Sequence, residues 1–345
     1  MRTKICQLGI ALLSVTLWFQ ISALAQTSTG SISGIVQDES GAVVPGASVT
    51  VTNVETGINR SVVTDAGGRY RVPSLIPDHY EVEAGNAGFE TAVRKGIQLA
   101  VGADLEINMV LKVGQVTQKT EVTAEAPMIE TMSGTVSGLV DDKAIRDLPL
   151  NGRSFDQLIA LQSSAPQITI RTLSIVAGAA ATYAVHGARD QANRFLLDGT
   201  EILAAGFQGD TPGGALGLNM GVEAIREFSV LTSNYGAAYG KRNGAIINIA
   251  SRSGSNSFHG SAFEFLRNSD LDARNFFDYK ANPSSPRLPS FRRNQFGGGM
   301  GGPLRKDQTF FFGTYEGLRQ SLGISAVEAV PDLASRQAAV PAVKP

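Results

Sequence analysis

The fold of this chain is decided near its C-terminus by the run Phe258-His-Gly-Ser-Ala-Phe-Glu-Phe-Leu-Arg267. Two similar aromatic-rich runs follow, Phe291-Arg-Arg-Asn-Gln-Phe-Gly-Gly-Gly-Met-Gly-Gly302 and Thr309-Phe-Phe-Phe-Gly-Thr-Tyr-Glu-Gly-Leu-Arg319. Each has about the ten residues that a tilted membrane-crossing strand needs, with aromatic side chains near its ends. Since the smallest closed barrels need about eight strands, we expect residues 255–345 to hold only the first strands of an incomplete antiparallel barrel.

The N-terminus has the pattern of a secretory signal. Arg2 and Lys4 precede a mostly apolar stretch, and Ala23-Leu24-Ala25 is a small-x-small cleavage site. The alternative is an uncleaved membrane anchor. It is disfavoured because the apolar stretch is short and is not followed by charged residues of the kind that stop transfer through a membrane. Residues 1–25 are therefore predicted to be removed during export.

Composition limits the remaining chain to a few classes of protein. Without residues 1–25 it has 28 basic and 31 acidic residues, a net charge of −3, which argues against a nucleic-acid partner. The single cysteine, Cys6, lies in the signal, so disulfides and thiolate metal sites are excluded. The 38 glycines and 14 prolines favour an all-β chain rich in turns.

Residues 26–113 are predicted to form a β-sandwich, because short alternating runs such as Ala47–Thr52 are separated by turn residues such as Asp65-Ala-Gly-Gly68. Aspartates that precede glycines usually bond local backbone, so Asp38 and Asp65 are interpreted as turn residues rather than ion ligands. Further spaced positions fit one pattern: Gly34-x-Val36-x-Asp38, Gly41, Pro45-Gly-Ala47, Thr56-Gly57, Gly68-x-Tyr70, Leu75, Pro77, Tyr80-x-Val82 and Gly88-Phe89.

That spacing resembles the carboxypeptidase-regulatory-like domain. The resemblance implies a transthyretin-like sandwich related to carbohydrate-binding folds, and hence a glycan as a candidate ligand. The sequence departs from the family at Asp78-His79, where a glycine is more usual before Tyr80.

Residues 131–254 predict a small α+β region. Apolar residues spaced three and four apart indicate short helices at Asp142–Leu148 and Phe155–Leu161, the second with Ser154 as N-cap. Short strands are expected at Tyr183–Gly187, Phe195–Gly199, Ile225–Leu231 and Ala245–Ile249.

A series of motifs in this region occurs in a recognisable order: Val185-x-Gly187, Phe195-Leu-Leu-Asp-Gly199, Val222-Glu-Ala-Ile-Arg-Glu-Phe228, Tyr235-Gly-Ala-Ala-Tyr-Gly240 and Gly244-Ala-Ile-Ile-Asn-Ile249. This order resembles the plug domain of TonB-dependent outer-membrane transporters. Leu148-Pro-Leu-Asn-Gly-Arg153 and Phe312-Gly-Thr-Tyr-Glu-Gly-Leu-Arg319 are similar to the Oar-like subgroup. The implied partners are TonB with its inner-membrane energising complex, and outer-membrane lipid around a complete barrel.

Residues 114–130 are predicted to be an extended, mobile linker because their polar composition offers no apolar face. Within it Glu121, Val122, Thr123, Ala124 and Glu125 resemble a TonB box, a segment that pairs through its backbone with the sheet edge of a partner. The alternative is an ordinary linker.

Two residue pairs of the plug-like region are further candidates for function. Asp198 and Gly199 are expected to form a tight turn, with mechanical coupling as the functional alternative. Arg226 and Glu227 are expected either to face the barrel wall as a charge pair that holds the plug, or to form a solvated surface pair.

Catalysis has no support in this sequence. His79, His186 and His259 are the only histidines, and none starts a His-x-x-Glu pair. We therefore expect no catalytic residues, no metal and no cofactor.

The chain is thus predicted to be mainly β, with a sandwich, an α+β plug and the first barrel strands. The function that follows is solute transport at the outer membrane, with the sandwich in the periplasm. The rival interpretation is a secreted carbohydrate-binding or adhesion protein without transport activity.

We predict that export removes residues 1–25. N-terminal sequencing of the protein recovered from the cell envelope should begin at Gln26, because signal peptidase cuts after the small-x-small site. Recovery of the intact Met1 terminus from the same fraction would contradict this prediction.

Overall fold

The computed structural model describes residues 29–114, 119–123, 134–150, 153–168, 182–189, 192–202, 220–236, 239–240, 242–273 and 290–322. These residues fall into two compact units. One lies within Met1–Gly260 and Gly299–Gly313, the other within Ser261–Gly298 and Thr314–Pro345. Strands dominate both, so the prediction of a mainly β chain is confirmed.

The first part of the chain builds two sheets, which we call the two-sheet region. Its strands are β1 Gly30–Asp38, β2 Ser48–Asn53, β3 Asn59–Val63, β4 Arg69–Leu75, β5 Asp78–Gly85, β6 Thr91–Leu99, β7 Asp104–Glu106, β8 Met109–Leu111 and β9 Lys119–Thr123. One sheet has the order β4-β1-β7, with β8 also paired to β1, and the other has the order β3-β2-β5-β6-β9.

Alternating side chains from the two sheets meet in one hydrophobic core. On β2, Val49 and Val51 are at most 1% exposed, whereas the intervening Thr50 is half-buried. Ile32, Val82, Ile97 and Leu111 belong to the same buried cluster. Burial therefore alternates along β2 with the two-residue period that the apolar pattern of the sequence predicts.

Local turns are fixed by side chains that accept hydrogen bonds from the backbone. Asp38 accepts from the N–H groups of Ser40 and Ala42, and Asp65 from those of Gly67 and Arg69. The Ser40 hydroxyl also donates to Asp38, and this is the main reason that the pKa of Asp38 is lowered. Both aspartates thus shape turns.

The middle of the chain forms a further five-stranded sheet, a two-stranded sheet and short helices. Its elements are β10 Val136–Val140, α1 Asp142–Asp147, a 3-10 helix Phe155–Leu161, β11 Gln167–Ile168, β12 Thr182–Tyr183, β13 Arg194–Leu197, β14 Thr200–Ile202, a 3-10 turn Val222–Ala224, β15 Ile225–Ser233 and β16 Ile246–Ser251. The five-stranded order is β10-β15-β16-β13-β14, which we call the middle sheet, and β11 pairs with β12. Phe155 and Phe228 meet edge to face in its core, at 5.8 Å between ring centroids.

Three local predictions for this region need correction. The segment Phe155–Leu161 is a 3-10 helix, and Ser154 makes no capping hydrogen bond, because its hydroxyl donates instead to the buried Asp156. The capping residue of α1 is Asp141, whose carboxylate accepts from the Ala144 N–H. The predicted strand Tyr183–Gly187 ends at Tyr183, since His186 has a φ of 50°, outside the β region.

The last described strands are β17 His259–Asn268, β18 Phe291–Arg305 and β19 Thr309–Leu322. They form an open sheet of order β17-β18-β19, and β18 and β19 are antiparallel because three residues join them. β18 has 15 residues and β19 has 14, longer than the runs of about ten that the aromatic pattern predicts. The glycine-rich stretch of β18 continues the strand instead of ending it.

Adjacent residues of β17 are exposed on both faces of the strand. Phe265 and Leu266 expose 52% and 67% of their surface. A strand that buried one face against a protein core would alternate. In the part of the chain that the structure describes, no helix is long and apolar enough to cross a membrane.

We predict that Gly34→Ala destabilises the two-sheet region far more than Gly85→Ala. A Cβ on Gly34 would lie 2.0 Å from the Ile107 carbonyl oxygen, whereas a Cβ on Gly85 meets only the Thr91 hydroxyl at 3.6 Å. Urea unfolding of a fragment spanning residues 26–124 should show a loss of about 3 kcal/mol for Gly34→Ala and a change within about 1 kcal/mol for Gly85→Ala. Equal effects of the two substitutions would contradict the packing described here.

Candidate functional site

A buried carboxylate marks the place where the two-sheet region meets the middle sheet. Asp78, at the start of β5, exposes 1% of its side chain. Its Oδ2 accepts a hydrogen bond from Asn53 Nδ2 at 2.9 Å, and its Oδ1 accepts from the His79 N–H at 2.8 Å. A buried carboxylate needs a cation as well as these donors, because isolated burial of a charge is very costly.

Arg226 of the middle sheet supplies that cation. Its Nη2 lies 2.6 Å from Asp78 Oδ1, and the Arg226 side chain is 25% exposed. Charge-assisted hydrogen bonds of this length are among the stronger polar contacts in proteins. Removing Arg226 would leave the charge of the buried Asp78 without compensation, so the pair favours the arrangement in which these surfaces meet.

The neighbouring Glu227 makes a second contact with the two-sheet region. It is 5% exposed, and its Oε1 accepts from the Val101 N–H at 2.5 Å. The Ser229 hydroxyl donates to the Val101 carbonyl at 3.4 Å, so both backbone groups of Val101 bond to β15. Burial raises the pKa of Glu227 to about 7, although the bond from Val101 and the charge of Arg226 act in the opposite direction.

An irregularity in β15 explains how two adjacent residues reach the same region. In a regular strand neighbouring side chains point to opposite faces. Ile225 pairs with Ser251 and Glu227 pairs with Ala250, so the register shifts at Arg226. Such a bulge redirects side chains locally, and here it lets Arg226 and Glu227 both contact the two-sheet region.

Asp78, Arg226 and Glu227 line a cleft of about 470 Å³. Arg252, which also lines it, pairs with Asp142, and Asp142 accepts from Arg146 at 2.5 Å as well. Among the described residues there is no group of three or more His, Cys, Asp or Glu side chains placed to hold a metal ion. The cleft therefore combines both signs of charge, and two of its ion pairs, Asp78 with Arg226 and Asp142 with Arg252, are formed within the protein.

Neither sequence interpretation of Arg226 and Glu227 describes these contacts. Glu227 is buried, so a solvated surface pair is wrong for it, and the contacts described for both residues are with the two-sheet region. The sequence did not identify Asp78 as the partner of Arg226, or Val101 as the partner of Glu227. The one feature that could have pointed to this contact is Asp78, an acidic residue at a position where the resembled family more often has a glycine.

Asp198 and Gly199 form the two-residue turn between β13 and β14. Their φ angles are 47° and 82°, as a tight hairpin turn requires. The Asp198 carboxylate also accepts from the N–H and the hydroxyl of Ser251, at 2.9 and 2.7 Å. Because Ser251 pairs with Ile225, this turn bonds to the strand end that lies beside Arg226.

The described part of the candidate TonB box, residues 121–123, is extended and paired with another strand. Glu121, Val122 and Thr123 lie in β9, which pairs in parallel with β6. Ala124 and Glu125 lie outside the described residues. The prediction of an unpaired mobile segment is therefore wrong for residues 119–123, whose Thr and Val residues favour strands despite their polar company.

Two family models match parts of the chain. Residues 31–112 match the carboxypeptidase regulatory-like domain, and residues 250–345 match an outer membrane beta barrel domain. Among curated proteins, the TonB-dependent transporter Oar of Myxococcus xanthus is 27% identical over 305 residues, which cover 84% of this chain. The chain spans only 27% of the length of that relative.

Likenesses to solved structures are partial. The ferric enterobactin receptor of Pseudomonas aeruginosa aligns with 49% of this chain and 22% of its own, at 16% identity and a TM-score of 0.32. Catechol 1,2-dioxygenase from Acinetobacter sp. ADP1 aligns with 30% of this chain and 60% of its own, at 14% identity and a TM-score of 0.23. The sequence relationship is to a transporter and not to an enzyme.

We predict that Glu227 makes the stability of the protein depend on pH. Its pKa is raised from an ordinary value of 4.5 to about 7 in the folded protein. The stabilisation it gives is therefore fully present below about pH 4.5 and is lost as the pH rises through about 7. Between pH 5 and pH 8 the unmodified protein should lose roughly 2–3 kcal/mol more than Glu227→Gln, which keeps an acceptor for Val101.

Chemical unfolding at several pH values checks this prediction. Glu81→Gln, which changes a partly buried glutamate of β5, is the matched control and should follow the unmodified protein. Parallel stability profiles for Glu227→Gln and the unmodified protein would show that Glu227 is not held as described.

Proposed function

We propose that this chain, a homologue of the TonB-dependent transporter Oar, carries the periplasmic domain, the plug and the first barrel strands of a TonB-dependent outer-membrane transporter. The observation that carries the proposal is the alignment with that transporter over 305 residues. The alignment covers 84% of this chain. A single relative therefore matches both the part assigned to the carboxypeptidase regulatory-like domain and the part assigned to the outer membrane beta barrel domain.

The strands β17 to β19 support a location in the outer membrane. They lie in the segment matched by the barrel family, and they are long enough to cross a bilayer. In this proposal the two-sheet region lies in the periplasm and the middle sheet is the plug.

Energy for transport would come from TonB and its inner-membrane complex. The contact we propose is backbone pairing between TonB and residues 121–125, in which hydrogen bonds of the main chain give the affinity. An extended segment suits this use because its backbone groups alternate in direction along the strand. The adoption of a strand by residues 119–123 supports the proposal.

The junction gives the two-sheet region a role in coupling. Asp78 with Arg226 and Val101 with Glu227 join it to the middle sheet through two polar contacts that are both largely shielded from water. A displacement of one region would be passed to the other as long as these contacts hold. We propose that the two regions move together when TonB pulls on the connecting segment.

The proposal covers transport of a solute and does not extend to a carbohydrate as its cargo. The secreted-adhesin interpretation is not favoured, because the alignment is with a transporter.

We predict that Thr123→Pro weakens binding of the periplasmic domain of TonB much more than Thr123→Ala. Proline removes a backbone N–H and fixes φ, whereas alanine keeps the backbone unchanged. Calorimetric titration of the detergent-solubilised chain should show a Kd at least about tenfold higher for the proline variant, and within about threefold of the unmodified value for the alanine variant.

The pair of variants separates backbone pairing from side-chain recognition. A large loss with alanine would indicate that side chains are read, contrary to strand addition. Absence of binding by the unmodified chain would remove the TonB assignment of residues 121–125.

A further inference from the structure

A turn of the two-sheet region lies against the turn between β18 and β19. Residues 54–58 join β2 to β3, and residues 306–308 join β18 to β19. Both turns belong to the same compact unit. They approach each other at Gly57 and Asp307, where a Cβ on Gly57 would collide with the Asp307 carboxylate. The absence of a side chain at Gly57 therefore makes room for an acidic side chain from the other turn.

Asn256, which lies between β16 and β17, joins the two turns. Its backbone N–H donates to the Glu55 carbonyl at 2.9 Å. Its side-chain Nδ2 donates to Asp307 Oδ1 at 2.8 Å, and its Oδ1 accepts from the Asp307 N–H at 2.9 Å. Because an amide side chain both donates and accepts, Asn256 bonds the carboxylate and the backbone N–H of the same residue.

The segment that carries Asn256 is itself held in place. On one side of it, the Arg252 N–H donates to the Ala224 carbonyl at 2.9 Å, next to the middle sheet. On the other side Gly254 is buried, and a Cβ there would collide with the Phe311 carbonyl oxygen of β19. A glycine thus lets the chain pass close to the hairpin, and the position of Asn256 is set from both directions.

The β2–β3 turn is also bonded to the contact with the middle sheet. Asn53, which is 3% exposed, accepts from the Thr56 N–H through Oδ1 and donates to Asp78 through Nδ2, each at 2.9 Å. Asp78 is the carboxylate that pairs with Arg226. One buried amide therefore holds both the turn that meets Asp307 and the carboxylate that meets the middle sheet.

We propose that residues 55–57 form an anchoring surface for the β18–β19 turn, with Asn256 as the adaptor between them. The two-sheet region then acts as a bracket, bonded to the middle sheet at Asp78 and to the hairpin at Asp307. While the bracket is closed, it limits how far the middle sheet can move from the hairpin. Asp307 is exposed, so its bonds compete with water and the bracket can open reversibly.

The anchoring surface goes beyond the proposed function and does not depend on TonB. It requires only that β18 and β19 lie in the segment matched by the barrel family, residues 250–345.

A disulfide between the two turns tests their contact in the full chain. In a Cys6→Ser background, the matched variant carries Gly57→Cys and Asp307→Cys. Asp307 Cγ lies 3.3 Å from the position of a Cβ on Gly57, close to the roughly 3 Å between a Cβ and the partner sulfur of a disulfide. The control carries Gly41→Cys with Asp307→Cys. Gly41 also has a positive φ, 85° against 71°, but its Cβ position has no atom within 4 Å.

Mild oxidation should cross-link the matched variant at least about tenfold faster than the control. The cysteines at positions 41 and 57 are only sixteen positions apart, so loop-closure entropy alone would give nearly equal rates. Equal rates of cross-linking would overturn the contact between the turns.

Exchange of the two bonded side chains tests the adaptor while Gly57 is kept. Asn256→Asp sets two carboxylates against each other and should open the contact. Asp307→Asn keeps the accepting oxygen, and asparagine tolerates the φ of 61° at this position. The double variant, Asn256→Asp with Asp307→Asn, places a donor opposite an acceptor again.

Hydrogen exchange of the amide at position 307, normalised to its intrinsic rate, reports the contact because Asn256 accepts from that N–H. We expect exchange at least about tenfold faster in Asn256→Asp, and within about threefold of the unmodified chain in Asp307→Asn and in the double variant. Unchanged exchange in Asn256→Asp, or no recovery in the double variant, would overturn the role of Asn256. Either failure would leave the proposed function standing, because neither measurement involves TonB.

Discussion

The structure depends on giving the backbone groups of strand edges a partner. An unpaired buried N–H or C=O costs about as much as a lost hydrogen bond, so each sheet here must end in water, in lipid or against another strand. The β6 edge ends against residues 119–123, and β15 ends against β10. The same requirement that closes the two-sheet region thereby decides where the segment proposed to engage TonB is kept.

Buried polar contacts impose a second constraint, at the junction of the two-sheet region and the middle sheet. Asp78 and Glu227 are both almost fully buried, and each takes its partner from the other side of the junction. Contacts of this kind add little net stability, but they penalise every arrangement in which a buried carboxyl group is left without its partner. The junction therefore specifies one relative placement of the two surfaces.

Much of the fold follows from the sequence because burial there is periodic and local. The alternation of Ala47–Thr52 predicts β2, and the turn at Asp65 fixes the approach to β4. The candidate site was harder to predict, since Asp78 and Arg226 are 148 positions apart and only a register shift directs Arg226 and Glu227 to one region. The docking of Glu121–Thr123 was missed because main-chain pairing leaves little trace in polar side chains.

The bulge at Arg226 makes the junction sensitive to the number of residues in β15 as well as to their chemistry. Loss of one residue there would restore strict alternation and turn one of the two junction side chains to the opposite face. Most of the strand is buried, so packing limits its residue types along its length, and the bulge adds a limit on the number of residues that precede it. A deletion at this point would cost the junction one of its two polar contacts even if every other residue were kept.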